Sequence, residues 1–288
     1  MRFRRLAVLL AFLLLMPACA ARKQVRTWQP GDSIICPHCG REFPVPEKLG
    51  PYGNGKSRVH IPDGYLGPPT YVAAYAACAP LWAIAARKVR ESLDARRAPL
   101  LAISAAFSFL VMMFNIPLPG GSTGHAVGGV LIAIAVGPWG AMLSISIALV
   151  IQALLFGDGG VTAIGANCFN IAFVMPFSGY GTYRLLSALL SSDRGRALAA
   201  GIAGWVGLNA AALTTAVMFG IQPLLHTAPD GRALYSPYPL SVAVHAMMLQ
   251  HMTVFGGIEA LITGAVVSSL QRSKTAWILG KAGSGTSR

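Results

Sequence analysis

The chain contains six histidines, and two of them stand where an imidazole could serve as a metal ligand. His60 lies in Val59-His-Ile-Pro-Asp63-Gly-Tyr-Leu66, directly ahead of an apolar run. Pro62 biases Ile61 toward an extended backbone and Asp63-Gly64 favours a tight turn, so a rigid bend fixes where the His60 ring points. His125 closes Pro119-Gly-Gly-Ser122-Thr123-Gly-His125 between two apolar spans. The glycines permit close backbone approach, and Ser122 and Thr123 can cap the next helix or orient an imidazole. Taken singly, these residues also read as a surface histidine and a polar helix cap. Taken together, two neutral imidazoles with backbone or carboxylate donors suit Ni(II), Co(II), Cu(II) or Zn(II), and do not suit Ca or Mg. No Met-rich pattern favours Cu(I). We expect the fold to bring the two rings together, with Asp63, Ser122 and Thr123 in support.

A second constellation precedes them. Ile35-Cys36-Pro37-His38-Cys39-Gly40 resembles one knuckle of a zinc ribbon, but tetrahedral zinc takes four ligands and a second knuckle is missing. Cys36, His38 and Cys39 are therefore less certain metal ligands, and a disulfide in an oxidising compartment fits them as well. Two alternative functions follow: a membrane-anchored metal-binding or sensory protein working through this motif, or a thiol-disulfide protein. The second lacks the thioredoxin-like pattern that would lower a thiol pKa. Cys78 and Cys168 lie within apolar spans and read as small buried hydrophobes.

Downstream, Gln152 to Asn167 is a polar, glycine-punctuated turn in which Asn167 can bond across helices, chiefly as structural glue. In the last span His251 and Glu259 lie a little over two turns apart on a shared face. Ionisable groups inside a membrane are functional candidates by default. We read this pair as bundle-interior polar contacts or coupling residues. No Ser-His-Asp set, GK[ST] phosphate loop or HExxH helix occurs, so the chain is not read as an enzyme and any ATPase would be a separate chain.

The elements that must position these groups are membrane spans. Of the 288 residues 54% are hydrophobic and 11% charged, far below the charge content of soluble domains. The formal charge of +13 lies in short loops between apolar runs, which is positive-inside patterning and not a nucleic-acid surface. Residues 1–20 form a signal sequence or lipoprotein-type leader, with Arg2, Arg4 and Arg5 before Leu6 to Met16 and either cleavage after Ala20 or lipidation of Cys19. Residues 21–58 form an extracytoplasmic segment, 59–272 a seven-span membrane domain and 273–288 a cytoplasmic tail. The expected spans are 70–87, 98–116, 125–137, 139–157, 162–189, 197–221 and 241–270. The third is too short to cross alone, and so must be tilted, re-entrant or sheltered in the bundle. Basic stretches at 87–97, 184–196 and the tail fall inside, whereas the loops 117–124, 157–161 and 222–240 carry only Arg232. The fold class is thus an all-α polytopic membrane protein, with the N-terminal segment outside a bacterial plasma (inner) membrane and the C-terminus cytoplasmic.

Across 59–270 the sequence resembles the CbiM/NikM family, the substrate-binding membrane subunits of energy-coupling-factor (ECF) ABC transporters that import cobalt or nickel. The stretches that carry the resemblance are His60-Ile-Pro-Asp-Gly-Tyr-Leu66, Gly120-Gly-Ser-Thr-Gly-His125, Gly137-Pro-Trp139, Gln152 to Asn167, and His251 through Gly256, Glu259 and Thr263. The Gly-Gly-Ser-Thr-Gly-His form is closer to the nickel branch. The resemblance implies that the segment before the first span dips into the bundle and presents His60 to the ion, with His125 completing the site. It implies no cofactor, only Ni(II) or Co(II) as transported substrate. The implied partners are an ECF coupling membrane protein, cytoplasmic ATPase subunits, a small membrane accessory subunit and membrane lipid. In the family the histidine corresponding to His60 is the second residue, and the terminal amine is a further ligand. Here 59 residues precede it. Cleavage between Arg58 and Val59 would create an amine at Val59. Alternatively, Cys36, His38 or Cys39 folds back as a ligand, or the site binds with different geometry.

Overall fold

In the computed structural model the described residues are 33–35, 42–44, 60–92, 97–117, 123–229, 231, 233–273 and 276–279. The leader, Cys36, His38, Cys39, Val59 and Ser122 lie outside them. Ten helices are described: α1 Pro68–Ser92, α2 Arg97–Met113, α3 Gly129–Val136, α4 Pro138–Ile151, α5 Ile164–Asn167, α6 Met175–Leu189, α7 Asp193–Gly220, α8 Gln222–Leu225, α9 Leu240–Gln250 and α10 Gly256–Arg272. Two antiparallel strand pairs, missed in the all-α expectation, are β1 Ser33–Ile35 with β2 Glu42–Pro44 and β3 Ile116–Pro117 with β4 Thr123–Gly124.

Three π-helical stretches, Gln152–Phe156, Cys168–Val174 and His251–Phe255, continue α4, join α5 to α6 and join α9 to α10. Such insertions open a helix wall locally and concentrate at functional sites. Each of these begins at or beside a polar residue of the candidate site: Gln152, Asn167 and His251.

Among the described residues four helical runs are long and apolar enough to cross a membrane: Pro68–Ser92, Pro138–Phe156, Asp193–Leu225 and Leu240–Arg272. Ala98–Met113 is apolar but shorter. The expected third span is helical only over the eight residues of α3, about 12 Å at 1.5 Å per residue, against a hydrocarbon core of roughly 30 Å. Gly129 through Ile134 are all buried, so this stretch is sheltered inside the bundle. Its helix also begins four residues after His125, with Gly128 as its N-cap and no side-chain cap. The capping role expected of Thr123 therefore does not hold, because β4 carries Thr123 away from the helix start.

Local chemistry accounts for several boundaries. Pro138 opens α4 directly after Gly137, where a missing N–H costs nothing. Ser192 caps α7 by accepting the Gly195 N–H at 3.0 Å. Packing between α7 and α10 depends on small residues. A Cβ at Gly201 would lie 3.1 Å from the Ala260 carbonyl oxygen, and one at Gly264 would lie 3.1 Å from that of Ala197. These backbones touch, as expected where lipid supplies no hydrophobic drive between helices. Large apolar side chains such as Phe114, Leu155, Leu189 and Leu261 point outward, whereas His60, His125, Gln152, Asn167 and Glu259 are buried.

Candidate metal-capture site

The segment 60–67 runs into the bundle ahead of α1; its first residues are held by groups that come from 152–167, and Gln222 Oε1 accepts the Gly67 N–H at 2.9 Å. Ile61 is clamped on both backbone atoms by Asn167: its N–H donates to Oδ1 at 3.0 Å, and its carbonyl accepts from Nδ2 at 3.2 Å. The Asp63 carboxylate accepts from the Val161 N–H at 3.2 Å, the Thr162 N–H at 2.8 Å and the Thr162 hydroxyl at 2.5 Å. Gly160 lets the loops meet, since a Cβ there would fall 2.3 Å from the Asp63 nitrogen. Asp63 is thus a staple for the bend that carries His60, as the Asp63-Gly64 turn suggested, and Asn167 is glue aimed at the site itself.

With the backbone fixed, the His60 ring is fixed too. Its Nε2 donates to the Gln152 side-chain carbonyl at 3.1 Å, which leaves Nδ1 with its lone pair, buried and without a partner. Burial holds the His60 imidazole below its ordinary pKa, although the Asp158 carboxylate, 3.9 Å from Nε2, and the Gln152 bond push the other way. The ring is therefore neutral near pH 7.

His125 reaches the same point from the other side. Its Nδ1 donates to the Ala126 carbonyl at 2.9 Å, so Nε2 carries the free lone pair and is also buried without a partner. The two ring centroids are 5.0 Å apart with planes at 67°. Buried polar atoms are normally satisfied. Two unsatisfied imidazole nitrogens in adjoining rings, each with its tautomer set by a hydrogen bond on the opposite nitrogen, form the arrangement in which histidines bind metals.

The pair opens into a cavity of about 330 Å³ whose wall includes Thr123, Asn167, Tyr238, Gln250 and His251. His251, whose Nδ1 donates to the Met247 carbonyl at 2.8 Å, lines the same cavity. Among the described residues no cluster of three or more His, Cys, Asp or Glu side chains could hold a metal. Glu259 does not reach the pair as a ligand. Its Oε2 accepts the backbone N–H groups of Val127 at 2.8 Å and Gly128 at 3.1 Å.

Gln152 escaped the sequence reading as a site residue. A lone amide within the otherwise apolar run from Ile147 to Phe156 is the signal that could have found it, and it is fully buried.

A membrane protein with neutral, paired imidazoles at the head of a helical bundle is what the fold and site define. Residues 60–277 match the CbiM family, described as the cobalt uptake substrate-specific transmembrane region, and the chain belongs to that family. It is 51% identical over 217 residues to a fused nickel transport protein, NikMN, of Rhodobacter capsulatus, covering 75% of this chain and 62% of that one. It is 38% identical over 135 residues to a cobalt transport protein, CbiM, of Acetohalobium arabaticum, covering 46% and 53%. The chain thus spans less than two thirds of the length of either relative. A crystal structure described as a truncated transition metal transporter superimposes with a TM-score of 0.70 at 52% identity, covering 74% of this chain and 98% of that one.

Proposed function

We infer that the chain is the substrate-specific membrane component of an ECF-type ABC importer, and that it captures a divalent transition metal at its outer face for ATP-driven uptake. The single observation that carries this reading is the pair of orphaned, buried lone pairs on His60 Nδ1 and His125 Nε2 in rings 5.0 Å apart. Neutral imidazole nitrogens favour Ni(II), Co(II), Cu(II) and Zn(II). Nickel is favoured over cobalt by the Gly-Gly-Ser-Thr-Gly-His form and by the higher identity to the fused nickel protein than to the cobalt protein.

In this reading seven crossings, with α3 sheltered in the bundle, put His60, His125 and Asp158 on the outer side and the basic loops in the cytoplasm. A leader at 1–20 delivers 21–58 outside, and the tail from 273 is cytoplasmic. The chain performs no catalysis and has no resident cofactor. ATPase subunits and a coupling membrane protein, with a small membrane accessory subunit, drive release. The ion's remaining ligands come from backbone, from an amine at Val59, or from Cys36, His38 or Cys39.

Nickel and cobalt uptake by cells expressing His60→Ala and His125→Ala chains with their transport partners tests the reading. Loss of uptake in both supports it, and unchanged uptake in both overturns it. Replacing Cys36 and Cys39 with Ser separates it from a protein that works through the CPHC motif, because in that case the cysteine changes abolish function while His60→Ala does little.

A further inference from the structure

The His125 loop is gripped by the last membrane helix at two levels. At the lower level Glu259, fully buried in α10, holds the N–H groups of Val127 and Gly128 on its Oε2. Gly128 is the N-cap of α3, which has no side-chain cap of its own, and Val127 precedes it; a carboxylate at this end also meets the positive end of the helix dipole. At the upper level Gly124 lies flat against Phe255. A Cβ at Gly124 would fall 2.4 Å from the Phe255 ring, so the backbone on the near side of His125 rests on the end of the π-helical stretch His251–Phe255.

His125 thus sits between two anchor points, Gly124 and Val127, and both anchors belong to one continuous run, Leu240–Arg272. A carboxylate buried in an apolar bundle is costly unless its bonds need it. Its bonds here go to the backbone two and three residues beyond a candidate ligand.

We propose that Glu259 is a positioning residue for metal capture: it fixes the backbone after His125 so that Nε2 faces His60, and it makes the seat of the ion depend on the placement of the last membrane helix. This rests on the functional reading above and goes beyond it. Movement of α10 relative to α3 during transport would pull on Val127 and Gly128 first. His125 would then turn away from its partner ring, and a firmly held ion could be let go without any ligand changing protonation.

The test is a double-mutant cycle on the full chain in detergent, with Ni(II) affinity read by calorimetry and Cu(II) as a spectroscopic probe. Loss of outer-shell partners of a metal site commonly costs roughly 10–100-fold in affinity, and that range is expected for Glu259→Ala. Glu259→Gln keeps a carbonyl to accept both N–H bonds and should stay within about threefold of the parent. In the His125→Ala background Glu259→Ala should cost nothing further, because the loop then has no ring to aim. The Cu(II) spectrum should lose one imidazole nitrogen in Glu259→Ala and keep both in Glu259→Gln.

A Glu259→Ala chain with lowered thermal stability but unchanged affinity and spectrum overturns the proposal, as does an equal affinity loss with and without His125. If Glu259→Ala does not fold, Glu259→Gln must retain affinity and both nitrogens, and failure of either overturns it. Should His60→Ala and His125→Ala leave metal binding intact, the underlying reading fails. If they abolish binding while Glu259 changes do nothing, this proposal fails alone.

Discussion

The two loops that bring the imidazoles together are held in opposite ways. The His60 segment is fastened by polar bonds: the exposed Asp63 carboxylate staples it to Val161 and Thr162, and buried Asn167 and Gln152 clamp Ile61 and hold the ring. These partners come from the stretch 152–168, and further along the segment Gln222 Oε1 accepts the Gly67 N–H at 2.9 Å and the Tyr65 carbonyl accepts the Ser236 N–H at 3.1 Å. The His125 loop is fastened from the core, by Glu259 beneath it, Phe255 beside it and the Ser108 hydroxyl donating to the Val127 carbonyl at 3.0 Å. One imidazole is carried on a latch tied by several polar bonds, and the other is built into the packing. The difference teaches that the two imidazoles rest on separate sets of partners, side-chain bonds from 152–167 for one and the last helix and α2 for the other.

The two loops matter to one another only if the rings act together. His60→Ala and His125→Ala each remove a proposed ligand, and each should weaken Ni(II) binding by about 100-fold or more, which corresponds to about 2.8 kcal/mol. Calorimetry on the purified chain checks this, and a large loss in only one variant would show that the ion is not shared. Asn167→Ala comes next. It unties both backbone groups of Ile61 and leaves a buried N–H unsatisfied, at a cost of about 1–3 kcal/mol. Affinity should fall about tenfold, and amide exchange at Ile61 should quicken while Val127 and Gly128 stay protected. Exchange quickening equally at all three sites would mean that latch and core are one unit.

Asp63→Asn should act in the same direction but less, by about 1 kcal/mol, because the carboxylate bonds lie at an exposed rim and are partly replaced by water. The readout is faster exchange at Thr162 with little change in affinity. A Gly128→Ala change probes the core-side loop instead. The residue has a φ of +69°, and an added Cβ would stand 2.4 Å from the Phe107 ring. Both predict a loss of stability of at least about 1 kcal/mol. Thermal unfolding should register it, and an unchanged midpoint would contradict the tightness assigned to that loop.

Much of this was legible in the residues. Apolar runs, basic loops and the Pro- and Gly-rich stretches around His60 and His125 pointed to a membrane bundle with two special loops. Burial of α3 was foreshadowed by its shortness. The strand pair of Ile116 and Pro117 with Thr123 and Gly124 was not visible, because two-residue strands leave no periodicity to read. Nor were the π-helical stretches, since a helix that gains one residue in a turn keeps nearly the same apolar pattern. The tautomer logic depends on which side chain lies opposite each ring nitrogen, and Gln152 is 92 residues from His60. Only the folded chain makes such neighbours. Glu259 was recognised as a buried ionisable group, but its target, two backbone N–H groups 131 and 132 residues away, is a tertiary fact.

Central to the account is that one ion is held by both imidazoles, and X-ray absorption at the nickel edge of the Ni(II)-loaded full chain tests it most directly. The predicted spectrum contains scattering from two imidazole rings, falling to one in either His60→Ala or His125→Ala when nickel is supplied in excess. A spectrum dominated by sulfur from Cys36 and Cys39, and unchanged when either histidine is removed, would contradict it.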